Sequence, residues 1–326
     1  MPRSLIVVSA LTAAVLIGLG VAQAAAPPKP KLSFRIFANV GHHMNTILWT
    51  GSQFLYVENT ANTVWAAPAA GVPVHQFATM PALTEETRCV QSPGTHGYPA
   101  GVIFCHSPDD KIYELSADGA SVTVFATLPA PQGSVSDGAL VWDNVGRFGF
   151  QLVAATGRSG AGSPPGGEVF TVSATGQVAQ VGSYTGPGAD EVAIAPANFG
   201  SVGGQALLTL DGGPDTGALV AMDTSGQTRT IFSPAAGLNP IAVITPLSTR
   251  KGGPPAGLYV TNDINNLVYF APAAPLAKFV GDVIVGGEDH APFWIVEPHG
   301  SGFVEVRVRH TLRGGTYSLE GGLFLP

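Results

Sequence analysis

Charge is scarce in this chain. Of its 326 residues only 15 are Lys or Arg and 22 are Asp or Glu, and the basic ones form no run. Sequence-independent binding of nucleic acid needs clustered cations to neutralise phosphates, so that class is disfavoured. Cysteine is nearly absent, with Cys89 and Cys105 the only two. A zinc centre built from Cys and His at close spacing is therefore not encoded. Three catalytic signatures are missing as well: the G-x-S-x-G elbow, the H-E-x-x-H pair and the P-loop. Serine hydrolase, zincin and nucleotidase readings have no anchor. "GRSGAGSPPGG" (157–167) lacks the spacing of a phosphate-binding fingerprint and reads as a hairpin loop, while "DGGPDTG" (211–217) lacks the later Glu of a calcium loop and reads as a tight turn.

What the chain does have is glycine and proline, 42 and 27 of them, in a composition that is 45% hydrophobic. That mixture suits many short strands joined by tight turns around a large apolar interior. The N-terminus reads as a secretory signal over residues 1–24: Arg3, an apolar run from Leu5 to Val21, then Ala22-Gln23-Ala24 as the small-x-small cleavage site. An uncleaved anchor is the competing reading. A Pro-rich linker (25–31) and one domain (32–326) follow, and past the signal no apolar stretch is long enough to span a membrane. The expected location is secreted or periplasmic, and the expected state is a monomer. In an oxidising compartment Cys89 and Cys105 are expected to form one structural disulfide, two buried free thiols being the alternative.

One phrase returns along the chain: an apolar strand carrying Phe or a near equivalent, then small residues and Pro or Gly. It is clearest in "VHQFATMPA" around Phe77 and "VTVFATLPAP" around Phe125. Further copies centre on Phe37, Val181, Phe232 and Phe279. The interval of about 40 to 55 residues is that of β-propeller blades. Between copies come a short apolar strand ("GALVW", "EVAIA", "PIAVI") and a hairpin with Asn, Asp, Gly or Pro in its turn. Four antiparallel strands per unit make a blade. "DHAPFWIVEP", "GFVEVRVRH" and "YSLEGGLFLP" then read as the first three strands of a sixth blade, which the N-terminal "LSFRIFANVG" completes as its outer strand. The expectation is an all-β, six-bladed propeller closed by its N-terminal strand.

The first strand of every blade lines the central channel. Aligning the apolar runs of those strands makes Asn45, Glu86, Asp137, Asp190, Asn239 and His290 level, with Glu191, Asp289 and His43 as close substitutes. Carboxylates and amides converging on an axis repel and are desolvated unless something positive sits among them. Oxygen donors of this kind suit a hard cation, Ca2+ ahead of Mg2+ or Zn2+. The expected ligands are Glu86, Asp137, Asp190, Asn239 and Asn45, with His290 or Asp190 as a general base. The plainer reading is also open: Asp and Asn at strand starts bond nearby backbone amides, and a wet channel keeps carboxylates solvated. Trp49, Trp142 and Trp294 read as lying on inner strands, where their ordinary role is packing between blades.

"SDGALVWDNVG" (136–146) resembles the "PDGL…D…G" blade opening of the SMP-30/gluconolactonase-like propellers, and "LYVTNDINNLVYF" (258–270) is similar to a phrase those proteins share with NHL-repeat propellers. The resemblance implies a divalent cation in the channel, held by Glu, Asn and Asp from different blades. Carried over, these are Glu86, Asn239 and Asp137. "ETRCV" departs from the family's "EGPVW", and Pro240 stands where the family has glycine. The implied activity is cation-dependent hydrolysis of a lactone or ester. The expected ligand is a small molecule or glycan at the channel mouth, and the rival class is a non-catalytic propeller that binds a glycan, peptide or protein partner with a structural cation or none.

Overall fold

The computed structural model describes residues 29–81, 86–129, 138–157, 166–213, 216–248, 252–289, 292–312 and 317–326. The signal and most of the linker therefore lie outside the described residues. Six four-stranded antiparallel sheets form the six blades of a propeller. From the axis outward, blade 1 is Met44–Trp49, Phe54–Glu58, Thr63–Ala67 and His75–Thr79. Blade 2 begins with Arg88–Pro93, blade 3 with Gly138–Trp142 and blade 4 with Gly188–Ile194. Neighbouring innermost strands run the same way, as the parallel bridge between Thr87 and Gly138 shows.

The last two blades differ from the sequence expectation. Blade 5 opens with Leu238–Val243 but takes Val283–Gly287 as its second strand, Phe293–His299 as its third and Gly302–Arg307 as its outer one. The intervening hairpin, Gly257–Asn262 and Leu267–Pro272, belongs to blade 6. There it lies between the C-terminal Leu319–Leu325, the innermost strand, and the N-terminal Arg35–Asn39, the outer strand. Both ends of the chain thus close one blade, and the N-terminal strand completes it as expected. Lys31–Leu32 adds a second tie by pairing in parallel with Arg309–His310.

The apolar runs are continuous because each blade is buried on both faces. Phe54 and Tyr56 pack towards blade 6, while Leu55 and Val57 pack towards blade 2, which is the strand alternation serving two cores. Six such clusters fill the six gaps between blades. Cys89 and Cys105 face each other directly across adjacent strands of blade 2 and form the expected disulfide within one of these cores.

The repeated phrase has a structural reason. Phe37, Phe77, Phe125 and Val181 are each the unpaired extra residue of a β-bulge in an outer strand, a position Ile231 rather than Phe232 takes in blade 4. A turn of the following blade packs on each of the first four, through Gly71, Gly119, Gly176 and Gly226. At Gly176 and Gly226 an added Cβ would lie 2.5 and 2.6 Å from the carbonyl oxygens of Phe125 and Val181. Only glycine allows that approach at φ of +77° and +79°. Phe279 breaks the pattern, since Ala274–Phe279 is a short 3-10 helix leading into blade 5.

Candidate functional site

The channel ring is built by a second set of bulges. Asn45, Asp190, Asn239 and Glu320 each occupy an irregularity in the pairing of an innermost strand with its neighbour. A bulge inserts a residue and re-aims its side chain, so four polar groups leave the blade register where the strands enter the channel. Asn45 is fully buried, and Asp190, Asn239 and Glu320 nearly so. Glu86 stands just before blade 2 in a left-handed conformation, φ +51°. Asp137 and His290 lie outside the described residues. The strand His290 was expected to lead is the third of blade 5 and not an innermost one, so the sixth place in the ring falls to Glu320.

The sequence reading missed the group at the centre, Arg88. Its Nη2 donates to Asn239 Oδ1 at 3.1 Å and lies 3.1 Å from Glu86 Oε2 and 3.5 Å from Glu320 Oε2. Its Nε lies 3.5 Å from Glu191 Oε1. Nη1, also buried, has no hydrogen-bond partner among the described residues. Burial disfavours the charge on this guanidinium. The carboxylates of Glu86, Glu191, Glu320 and Asp190 outweigh that penalty and hold its pKa above the ordinary arginine range. The positive charge the ring demands is therefore supplied by the chain. A signal was present: Arg88 is the one basic residue in the six innermost strands.

Glu191 closes the network. Its Oε2 accepts the Ile241 N–H at 2.8 Å and its Oε1 the Gly322 N–H at 3.4 Å, tying blade 4 to blades 5 and 6. Burial raises its pKa to about 7, against the opposing pull of Arg88 and the two backbone donors. Asn239 donates to Glu320 Oε2 at 2.6 Å, and burial raises the Glu320 pKa too.

A second acidic group lies off the axis. Carboxylate oxygens of Asp190, Asp211 and Glu288 come within 4.8 Å of one another. Burial, then the hydrogen bond with Asp211, pushes the Glu288 carboxyl well above the usual range. These two sets answer differently to the divalent cation the resemblance implies. Glu86 and Asn239 are committed to Arg88, and a cation among them would face a guanidinium. Asp190, Asp211 and Glu288 offer only oxygens, within 4.8 Å of one another, which fits a hard cation.

On the far side of Arg88 the channel widens into a cavity of about 430 Å³ lined by all six innermost strands. It ends at Arg88 and Glu191, and Trp49, Trp142 and the exposed Asn144 stand at its other end. Trp294 is elsewhere, on the third strand of blade 5 against Phe232. Among the described residues no helix is long and apolar enough to cross a membrane.

No protein-family model matches the chain, and no curated protein matches it in sequence. Solved structures do share its fold. Regucalcin from Agrobacterium tumefaciens, a calcium-binding protein of the SMP-30 family, is 11% identical over 86% of this chain and 80% of its own, with a TM-score of 0.52. The PQQ-bound aldose sugar dehydrogenase of Streptomyces coelicolor is 14% identical over 89% and 91%, with a TM-score of 0.53. A chain of a nidogen/laminin complex is 10% identical over 90% and 83%, with a TM-score of 0.51. At these identities the likeness shows the fold alone. The chain is a six-bladed β-propeller of the architecture that regucalcin, the sugar dehydrogenase and that nidogen/laminin chain share.

Proposed function

We propose that the protein is an exported propeller that binds a small ligand in its central channel. The observation carrying this reading is the cavity of about 430 Å³ that ends on the buried Arg88–Glu191 pair. Its size is that of a small-molecule site. Export rests on the N-terminal sequence and agrees with the disulfide in blade 2. The test is a small-molecule library read by tryptophan fluorescence and thermal shift on the mature protein. Ligands should saturate the wild type and fail on Val243→Trp, which narrows the cavity. Equal binding to that variant would place the site elsewhere.

A second reading, cation-dependent hydrolysis of a lactone or ester, is favoured by Asp190, Asp211 and Glu288. Bound there, a divalent cation would polarise a carbonyl oxygen. The three side chains would hold it through their carboxylate oxygens. Calorimetric titration with Ca2+, on the wild type and on Asp211→Asn, tests the cation. A lactone and ester panel with and without chelator tests the chemistry. Absence of Ca2+ binding, or turnover indifferent to chelator, removes this reading.

A further inference from the structure

We infer that the occupant of the central cavity is a neutral saccharide of one or two rings. The inference rests on the channel-binding reading and narrows it to a chemical class. Four features of the cavity point to it together.

The first is the wall. Each innermost strand is terminal in its sheet, paired on one side only, so its other edge faces the axis. Six strand edges surround the cavity; Glu191 takes the Ile241 and Gly322 N–H groups at its inner end, and backbone N–H and C=O groups further along the wall require hydrogen-bonding partners from water or a ligand. A purely apolar molecule would leave them unsatisfied. A polyhydroxylated one would not.

The second is the pair of indoles. Trp49 and Trp142 are half-buried and line the cavity. Trp49 packs edge-on against Phe54 with centroids 4.9 Å apart, and Trp142 against Tyr98 at 4.3 Å. These contacts fix the ring planes before a ligand arrives, the condition for an aromatic platform with little ordering to lose. Gln91 and Asn144 add side-chain amides to the lining.

The third is the inner end, where Arg88 and Glu191 line the cavity as a pair with Nε and Oε1 3.5 Å apart. A guanidinium next to a carboxyl group matches vicinal hydroxyls, one accepting and the other donating.

The fourth is charge. Arg88 already faces Glu86, Glu191, Glu320 and Asp190. One more carboxylate at that end would be repelled, so uronic and aldonic acids are rejected while their neutral parents are accepted.

The site lies beyond Arg88 from the ring of bulge residues and from the Asp190–Asp211–Glu288 group, so it needs no cation. The test is titration of the mature protein with glucose, xylose, N-acetylglucosamine, maltose and cellobiose, with glucuronate and gluconate as charged counterparts. Tryptophan fluorescence and calorimetry are the readouts. At least one neutral sugar should saturate, with a Kd about tenfold or more below that of glucuronate. Trp142→Ala and the less intrusive Asn144→Ala should each weaken it by about tenfold. Equal or tighter binding of the acids, or no saturation by any neutral sugar up to about 20 mM, overturns the inference. A parallel titration with the neutral dye N-phenyl-1-naphthylamine separates the two failures. Dye entry that Val243→Trp blocks, with no sugar bound, leaves the channel reading standing and removes the saccharide. Failure of both dye and sugars removes both.

Discussion

Arg88 donates from Nη2 to Oδ1 of Asn239, 3.1 Å away across the channel and 151 residues further along the chain. The same nitrogen faces Glu86 and Glu320, so one guanidinium holds together blades 2, 5 and 6. A buried ion pair is expensive to form, yet removing one partner is worse, because the other charges stay behind uncompensated.

Arg88→Met should therefore destabilise the protein by about 3–5 kcal/mol. Asn239→Ala, which removes a neutral acceptor, should cost about 1–3 kcal/mol. Adding Glu191→Gln to Arg88→Met should recover part of the loss. Urea denaturation of the three variants measures all of this, and a mild effect of Arg88→Met alone would show that the network is not a structural centre.

Acid should weaken the fold through His106. Burial is the chief cause holding its imidazole down at about 4, against the Ala139 carbonyl contact and the Asp109 charge. The unfolded chain takes up this proton near pH 6.5 and the folded one only near 4, so stability present above 6.5 is lost as the pH falls through that window. The slope approaches about 1.4 kcal/mol per pH unit. Denaturation midpoints at pH 7 and pH 5 should fall steeply for the wild type and less for His106→Asn, which keeps a donor for Ala139.

Turn glycines should separate into two classes. Gly226 and Gly51 both have positive φ, +79° and +91°. A Cβ on Gly226 would lie 2.6 Å from the Val181 carbonyl oxygen, whereas nothing lies within 4 Å of one on Gly51. Gly51→Ala should cost only the backbone strain, about 1–2 kcal/mol. Gly226→Ala should add an overpacking cost of about 1–3 kcal/mol and open the interface between blades 3 and 4. Thermal melts check the difference, and equal losses would mean the turn yields freely.

Reduction of the Cys89–Cys105 bond should cost about 3 kcal/mol, since it closes a loop of sequence separation 16. The Cys89→Ser/Cys105→Ser variant compared with the oxidised wild type in urea measures it. A loss below about 1 kcal/mol would show that the blade 2 core carries this hairpin unaided.

Much of the architecture was legible because propeller chemistry repeats. The phrases around Phe77 and Phe125 recur because each supplies an outer-strand bulge against which the next blade's turn packs. The disulfide was legible for a local reason, as its two residues stand on neighbouring strands of one hairpin. At the C-terminal end the reading slipped. Local pattern cannot show that the hairpin of 257–272 joins blade 6 while 283–287 returns to blade 5, because a blade's apolar strand looks the same whichever neighbour it pairs with. That slip put His290 in the ring in place of Glu320.

The ring itself shows the boundary most clearly. Sequence alone determined an all-β propeller of six blades, closed by its N-terminal strand, with polar residues entering the channel. It also posed the electrostatic problem those residues create. Tertiary structure decided the answer, because the positive charge came from Arg88, a residue the sequence reading passed over. Glu86 is its neighbour in sequence, but its partners at 191, 239 and 320 meet it only when the ring closes. Charge pairing depends on distance in space, and in a propeller that distance is set by a closure no local pattern records.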